Sequence, residues 1–164
     1  MNMRRRDLNK YNKLVKEYDE HPLVQSMKTY VQHGTTTTYD HSVRVAKLSY
    51  LLNTKLRLHA DEQILVPAAF LHDFFLYDWH DEPKVSVRNF TAMHGFTHPK
   101  KAADNAKEVF DINDETYDAI SSHMWPLTIT KVPKSKEAKI LCAADKMVAL
   151  KETFEKNRFF HKKG

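Results

Sequence analysis

An acidic residue inside an otherwise apolar segment constrains how this chain can fold. In the run AAFLHDFFLY, the adjacent pair His72 and Asp73 is flanked on both sides by residues typical of a core. Burying an ionised carboxylate costs several kcal/mol unless it is paired or coordinates a metal ion, and aspartate is seldom fully buried without a partner. The segment therefore needs a cation. Candidate ligands for one stand elsewhere in the chain, at His41, His98, His123 and Asp145.

The composition favours helices. The 164 residues fit one domain with a substantial core, and only three of them are glycine, which disfavours a turn-rich β-sandwich or barrel. We predict a single domain over residues 1–164. Its core would span about 39–150, with N-terminal helices within 1–30 and a basic tail at 156–164.

The spacing of apolar residues predicts an all-α bundle of about six to eight helices, with the cation site between the central ones. Helices are predicted at Arg5–Glu20, Pro22–Tyr30, Tyr39–Leu58, Asp61–Tyr77, Lys84–Thr91, Pro99–Phe110, Asn113–His123 and Lys134–Asn157. The fourth is apolar nearly all round, as in a central buried helix, and Pro67 is expected to kink it. The stretch HGTTTT is predicted to connect two helices, and no strand is predicted.

Several functional classes receive no support from the sequence. No apolar stretch follows the basic N-terminus, as a secretory signal would require, and the run Ile64–Leu71 is too short to span a bilayer. We therefore expect a cytoplasmic protein. The net charge of +5 is mild and much of the excess lies in end clusters, which argues against nucleic-acid binding. Cys142, the single cysteine, is predicted to be a buried thiol. A homo-oligomer is compatible with the sequence.

Helical spacing places several polar residues on apolar faces. His41 lies four residues before Val45, and Asp145 lies four after Leu141, so both should point inward. One histidine on such a face is usually a satisfied core residue. Two carboxylates and several imidazoles that point inward from different helices favour a shared metal ion. Because neighbouring helical residues differ by about 100° in direction, Asp73 would reach the ion from another side than His72, or bridge to a second ion.

His98 and His123 are candidate ligands of that second ion, since both are predicted at helix ends. Alternatively, His98 caps a helix N-terminus and His123 interacts favourably with a helix C-terminus. Both interpretations remain open from spacing alone.

The ordered set His41, His72-Asp73 and Asp145 resembles the HD-domain superfamily of metal-dependent phosphohydrolases. The stretch YDHSVRVAKLSYLL is similar to the first metal helix of that family, LHDFFLYDW to its name-giving segment, and CAADKM to its final aspartate helix. The histidines of HGFTHPKKA and SSHMWPLT match the subgroup with two metal ions. Together, these stretches extend the resemblance over residues 39–150.

The resemblance implies a role for each ligand. One ion would be held by His41, His72, Asp73 and Asp145, and Asp73 would bridge to a second ion held by His98 and His123. Such ligands suit iron, manganese, zinc, nickel or cobalt. The implied chemistry is attack of a metal-bound hydroxide on a phosphate monoester or diester of a small, nucleotide-like substrate.

Other residues near the ligands are candidates for substrate contact and proton transfer. The candidates for substrate binding are Arg44, Lys100, Lys101 and Trp125. The candidates for catalysis are Asp73, His94 and Lys146. Three of them have a simpler alternative: Arg44 as a solvated helix residue, His94 as a loop histidine beside Gly95, and Trp125 as ordinary core packing. Lys100 and Lys101 at a predicted helix N-terminus oppose the helix dipole unless an anion binds there.

Two other functions share this ligand set. Di-iron oxygenases similar to inositol oxygenase use the same H…HD…H…H…D pattern, and a non-catalytic binding module stabilised by metal would also preserve it. Oxygen consumption with ferrous iron would favour the oxygenase, whereas oxygen-independent phosphate release would favour the hydrolase.

Overall fold

A computed structural model describes residues 3–33, 36–77 and 94–160, with side chains described for 3–32, 36–77 and 96–155. Within these ranges the chain forms seven α-helices, one 3-10 turn and one short hairpin. The elements are α1 (Arg5–Asp19), α2 (Pro22–Ser26), a 3-10 turn (Met27–Thr29), β1 (Val31–His33), β2 (Thr36–Thr37), α3 (Thr38–Leu56), α4 (Glu62–Leu71), α5 (His94–Phe110), α6 (Asp114–Ser121) and α7 (Lys136–Phe160). The predicted all-α class is confirmed.

Short polar side chains fix where three of the helices begin. Thr37 accepts a hydrogen bond from the backbone N–H of Asp40 at the start of α3, and Asp61 accepts one from Gln63 at the start of α4. Asn113 accepts a hydrogen bond from the backbone N–H of Thr116 at the start of α6. Each cap satisfies a backbone donor that has no partner within its own helix.

The boundaries of two helices, α4 and α5, differ most from prediction. The helix α4 ends at Leu71, not Tyr77, because the chain turns: the N–H of Phe74 bonds the carbonyl of Leu71 at 3.0 Å. The helix α5 begins at His94, ahead of the predicted Pro99, so that this proline lies inside its N-terminal part. The predicted helix Lys84–Thr91 lies outside the described residues.

The stretch HGTTTT is not a plain connector, and that prediction was wrong. The strands β1 and β2 pair antiparallel, with Val31 opposite Thr37. β-Branched residues such as Val31, Thr36 and Thr37 are enriched in strands. The hairpin is too short to give the periodic signal of a strand, yet it brings Gln32 towards the interior.

The helix α4 lies at the centre of the bundle, where it contacts α1, α3, α5, α6 and α7. Every residue from Leu65 to Leu71 is buried, as the continuous apolar sequence predicts, and the helix retains Pro67 within it. Cys142 is a buried thiol on α7, as predicted. Among the described helices, none combines the length and the apolar character needed to cross a membrane. The end of α4 therefore delivers His72 and Asp73 into the middle of the domain.

Candidate metal centre

His72 and Asp73 occupy the turn that follows α4, not the body of a helix as predicted. His72 is the C-terminal cap of α4, and the N–H of Phe75 bonds the carbonyl of Asp73 at 2.9 Å. This turn lets the two neighbouring side chains converge, with His72 Nε2 3.4 Å from Asp73 Oδ2. Both residues are buried, being 0% and 2% exposed.

The first ligand set brings together α3, α7 and the turn that follows α4. His41 Nε2 lies 3.1 Å from Asp145 Oδ1 and 3.8 Å from Asp73 Oδ2. His72 Nε2 lies 3.6 Å from the same Asp145 oxygen. Ligands about 2.1 Å from one ion at tetrahedral or octahedral angles are separated by about 3.0–3.4 Å. His41, His72 and Asp73 thus have the spacing of a cation site, and Asp145 Oδ1 lies close to both of its imidazoles.

The second ligand set joins the same turn to α5 and to the turn after α6. His98 Nε2 lies 3.4 Å and His123 Nε2 lies 3.8 Å from Asp73 Oδ1. The two imidazole nitrogens are 3.0 Å apart. Asp73, His98 and His123 are all buried and have the spacing of a three-ligand cation site, as do His41, His72 and Asp73.

Asp73 belongs to both sets through different atoms. Its Oδ2 faces His41 and His72, whereas its Oδ1 faces His98 and His123. A carboxylate with one oxygen directed at each set has the arrangement of a bridging ligand. The bridging role of Asp73 itself stays a prediction.

Backbone carbonyls orient two of the histidines in the same way. His72 Nδ1 lies 2.9 Å from the carbonyl oxygen of Ala69, and His123 Nδ1 lies 2.7 Å from that of Ile120. Because a carbonyl only accepts, each Nδ1 carries a proton, and Nε2 is the ring nitrogen directed at the centre. In both cases the carbonyl belongs to the last turn of a helix, where intrahelical donors are missing.

A carboxylate performs the same task for His41. Its Nδ1 donates to Oε2 of Glu152 at 2.9 Å, and Oε1 of Glu152 accepts from Arg44 at 2.8 Å. Glu152 is buried at the far end of α7, 5% exposed. The arrangement directs Nε2 of His41 at the first ligand set.

The pKa values of Asp73 and His123 are both lowered, for different reasons. Burial opposes ionisation of Asp73, but the charges of His72, His98 and His41 outweigh it and lower the pKa of Asp73 to about 2. Burial likewise disfavours the charged form of His123, and neighbouring His72 and His98 add to this, so its pKa falls to about 3. The centre therefore holds Asp73 ionised and His123 neutral, which are the forms that bind metal ions.

The donor set fits a bound cation better than a closed hydrogen-bond network. His72 Nε2 and Asp73 Oδ1 are buried without a hydrogen-bond partner among the described atoms. Within the same part of the chain, neither Asp73 nor Asp145 lies within ion-pair distance of a lysine or arginine. Unpaired polar atoms in an interior cost free energy. Divalent ions at the two sets would satisfy both atoms and neutralise the carboxylates.

A family comparison agrees with this geometry. The model of the HD domain matches residues 38–150, more than half of the chain. The chain belongs to the HD-domain family. This superfamily consists of metal-dependent phosphohydrolases. No curated protein and no solved structure matches the chain significantly. The matched HD-domain region contains all six predicted ligands.

Two buried contacts of the centre come from outside the matched HD-domain region. Gln32, on β1, donates from Nε2 to Oδ2 of Asp73 at 2.8 Å, and Thr38 donates to Oε1 of Gln32 at 3.3 Å. Glu152 is the other. Sequence reasoning missed both residues. Glu152 lies seven residues, about two helical turns, after Asp145, and that spacing could have revealed it. Gln32 offers no such signal because a hairpin positions it.

The predicted substrate-binding residues differ in their hydrogen-bond and ion-pair partners. Arg44 is half-exposed and donates to Glu152 and to Thr36, the latter at 3.3 Å. Lys100 forms an exposed ion pair with Asp104 at 2.6 Å.

Lys101 lies three residues after His98 on α5, and its amine stands 4.2 Å from the ring centroid of Tyr77. Trp125 follows His123 by two residues and is partly exposed. Their contact with substrate stays a prediction.

The two additional catalytic candidates are Lys146 and His94. Lys146 Nζ donates to the carbonyl of His123 at 3.0 Å and contacts Sγ of Cys142 at 3.2 Å. Its amine thus fastens the turn that carries His123 to α7, and its catalytic role stays a prediction. His94 begins α5, but its side chain lies outside the described residues.

Proposed function

We propose that this HD-domain chain is a phosphohydrolase that uses two divalent metal ions to cleave a phosphate monoester or diester of a small, nucleotide-like substrate. The observation that carries the proposal is the division of the Asp73 carboxylate between two histidine sets. Family membership supports the hydrolytic chemistry.

The ligand assignment follows the two sets. His41, His72, Asp73 and Asp145 would hold one ion, and Asp73, His98 and His123 the other. Imidazole and carboxylate ligands suit iron, manganese, zinc, nickel and cobalt. When bound, a pair of such ions lowers the pKa of a shared water and neutralises charge that develops on a phosphoryl group.

The protein's own contribution is to hold these ligands in fixed orientations within a buried site. The carbonyls of Ala69 and Ile120 accept from Nδ1 of His72 and of His123, which leaves Nε2 of each ring as the atom that would bind the ion. Gln32 restrains the Asp73 carboxylate through the oxygen that faces His41 and His72. Fixed ligands reduce the reorganisation needed as charge develops.

Lys101 is a candidate to bind a substrate phosphate. On a helix, residues three apart lie on one face, so Lys101 shares a face with His98. Lys100 points about 100° away and is paired with Asp104. Arg44 is engaged by Glu152, Trp125 would wall the pocket, and His94 would protonate the leaving group.

The test is turnover by purified protein loaded with Mn²⁺ or Co²⁺. The substrates would be nucleoside monophosphates, p-nitrophenyl phosphate and bis(p-nitrophenyl) phosphate. We expect oxygen-independent release of phosphate or nitrophenol that chelator abolishes and metal restores. His41→Ala should be inactive, whereas Glu155→Ala, one turn after Glu152 on α7, should keep full activity.

Two outcomes would reject the proposal. Oxygen consumption with product formation only after ferrous loading would identify an oxygenase. Tight binding of two ions without turnover across the panel would identify a metal-stabilised binding module.

A further inference from the structure

The C-terminal half of α7 reaches the metal centre at a point that lies beyond the matched HD-domain region. Glu152 is nearly fully buried, and each of its two carboxylate oxygens has one described partner. Oε2 accepts from His41 Nδ1 at 2.9 Å, and Oε1 accepts from Arg44 at 2.8 Å. The contact spans α3 and α7, which pack against each other.

We propose that Glu152 is a positioning residue that sets the tautomer and ring orientation of His41, and that Arg44 holds Glu152 in place. The inference rests on the metal-binding half of the proposed function and concerns the first ligand set. It requires no contact between Glu152 and substrate.

The geometry of His41 makes this role specific. A carboxylate can only accept, so His41 Nδ1 must carry the proton, and its Nε2 is directed at Asp145 and Asp73. Without this acceptor, the proton could move to Nε2 and occupy the position of the ion. The carboxylate also makes the imidazole more basic and therefore a stronger ligand.

Arg44 explains how a carboxylate remains ionised in this buried position. Its guanidinium donates to Oε1, opposite the side that faces His41, and its own side chain is half-exposed. A hydrated guanidinium thus balances the charge at the edge of the bundle. Thr36 accepts from the same Nη1 at 3.3 Å and fixes the arginine from the hairpin.

The experiment is a Co²⁺ titration that follows both affinity and the visible absorption of the bound ion. Glu152→Ala should weaken binding at the first ligand set by about 10- to 100-fold. Glu152→Gln, which keeps an acceptor oxygen for His41, should recover most of that loss. Glu155→Ala, at an exposed position of the same helix, is the matched control and should bind as the wild type does.

A double-mutant cycle with His41→Ala separates positioning from general damage. If Glu152 acts through His41, adding Glu152→Ala to His41→Ala should cause no further loss of affinity. Circular dichroism and thermal melting of the metal-free variants check that each one folds.

The possible failures are distinguishable. Wild-type affinity in Glu152→Ala, or equal losses in the Ala and Gln variants, would overturn the positioning role alone. A wild-type protein that binds no Co²⁺ would overturn both this inference and the proposed function. Metal binding without phosphatase turnover would overturn the proposed function. The affinities of the Glu152 variants would still decide whether Glu152 positions His41.

Discussion

His98 Nε2 and His123 Nε2 lie 3.0 Å apart in the interior, although 25 residues separate them in sequence. The packing of α5 against α6 brings them together, and both nitrogens face the same oxygen of Asp73. Since His123 Nδ1 donates to a carbonyl, its Nε2 has a lone pair available for the shared contact.

The second ion should depend on His98 and His123, which are not ligands of the first ion. We expect His98→Ala to lower the metal content from two ions to one, because the first ligand set does not include His98. Elemental analysis of the metal-reconstituted variant measures this. The exposed neighbour substitution Lys100→Ala should retain both ions. Loss of both ions from His98→Ala would show that the two sets are not independent.

Asp73 should behave differently, because its oxygens serve both sets. Asp73→Asn keeps the size of the side chain but removes its charge, so we expect occupancy of both ions to fall together. The same elemental analysis applies, with Asp104→Asn on α5 as the control, since its carboxylate contacts Lys100 and Tyr117 at the surface. Retention of one full ion would contradict a bridging Asp73.

Gln32 should influence the centre without binding metal. Gln32→Leu removes the N–H that Oδ2 of Asp73 accepts at 2.8 Å while preserving most of the side-chain volume. We expect metal affinity to fall by about 10-fold or more, as for other partners of metal ligands. Isothermal titration with Mn²⁺ measures it. Val31→Thr, an exposed position on the same strand, should have no effect.

Metal affinity should rise with pH, because protons and cations compete for the same imidazole lone pairs. Burial disfavours the charged form of His41, but hydrogen bonds to Asp145 and Glu152 outweigh it and raise its pKa to about 10. At neutral pH the metal-free His41 is therefore protonated, and binding must release that proton. Titration calorimetry in two buffers of different ionisation enthalpy should detect about one released proton from His41. Binding without proton release would contradict this account.

Asn53 should be important for folding and not for the metal centre. Its side chain donates to the carbonyl of Ala60 and accepts from the N–H of Ala60, both at 3.0 Å, and both residues are buried. Asn53→Ala leaves these backbone groups unpaired, so the free energy of unfolding should fall by about 2–4 kcal/mol. Urea denaturation measures the change. Lys55→Ala, exposed on the same helix, should shift it by less than about 0.5 kcal/mol.

Helical periodicity was sufficient to predict the bundle and the inward direction of the ligands. His41 and Asp145 lie within long regular helices, where a spacing of four residues reliably identifies a shared face. His72 and Asp73 were identified by a different argument, the cost of a buried charge, which needs no helix boundary. These residues became candidates because their chemistry conflicts with their surroundings.

What the sequence did not predict depends on irregular structure or on pairing between distant residues. Helix ends are set by local hydrogen bonds, so the turn at Phe74 shortened α4 relative to its apolar run. Gln32 enters through a hairpin whose strands are too short to show alternation. The bond between Glu152 and His41 joins residues 111 positions apart, and only the packing of α3 against α7 creates it.

The point at which α4 stops has a consequence for how this centre tolerates change. His72 uses a carbonyl of the final helical turn to aim its ring, and Asp73 turns towards it only because the helix has ended. Adding one residue before His72 and continuing the helix would rotate both side chains by about 100° about the helix axis. The number of residues from Pro67 to Leu71 therefore sets the direction of both side chains, so the length of this segment matters as much as its composition. Deletions and insertions there should be far more harmful than apolar substitutions of similar size.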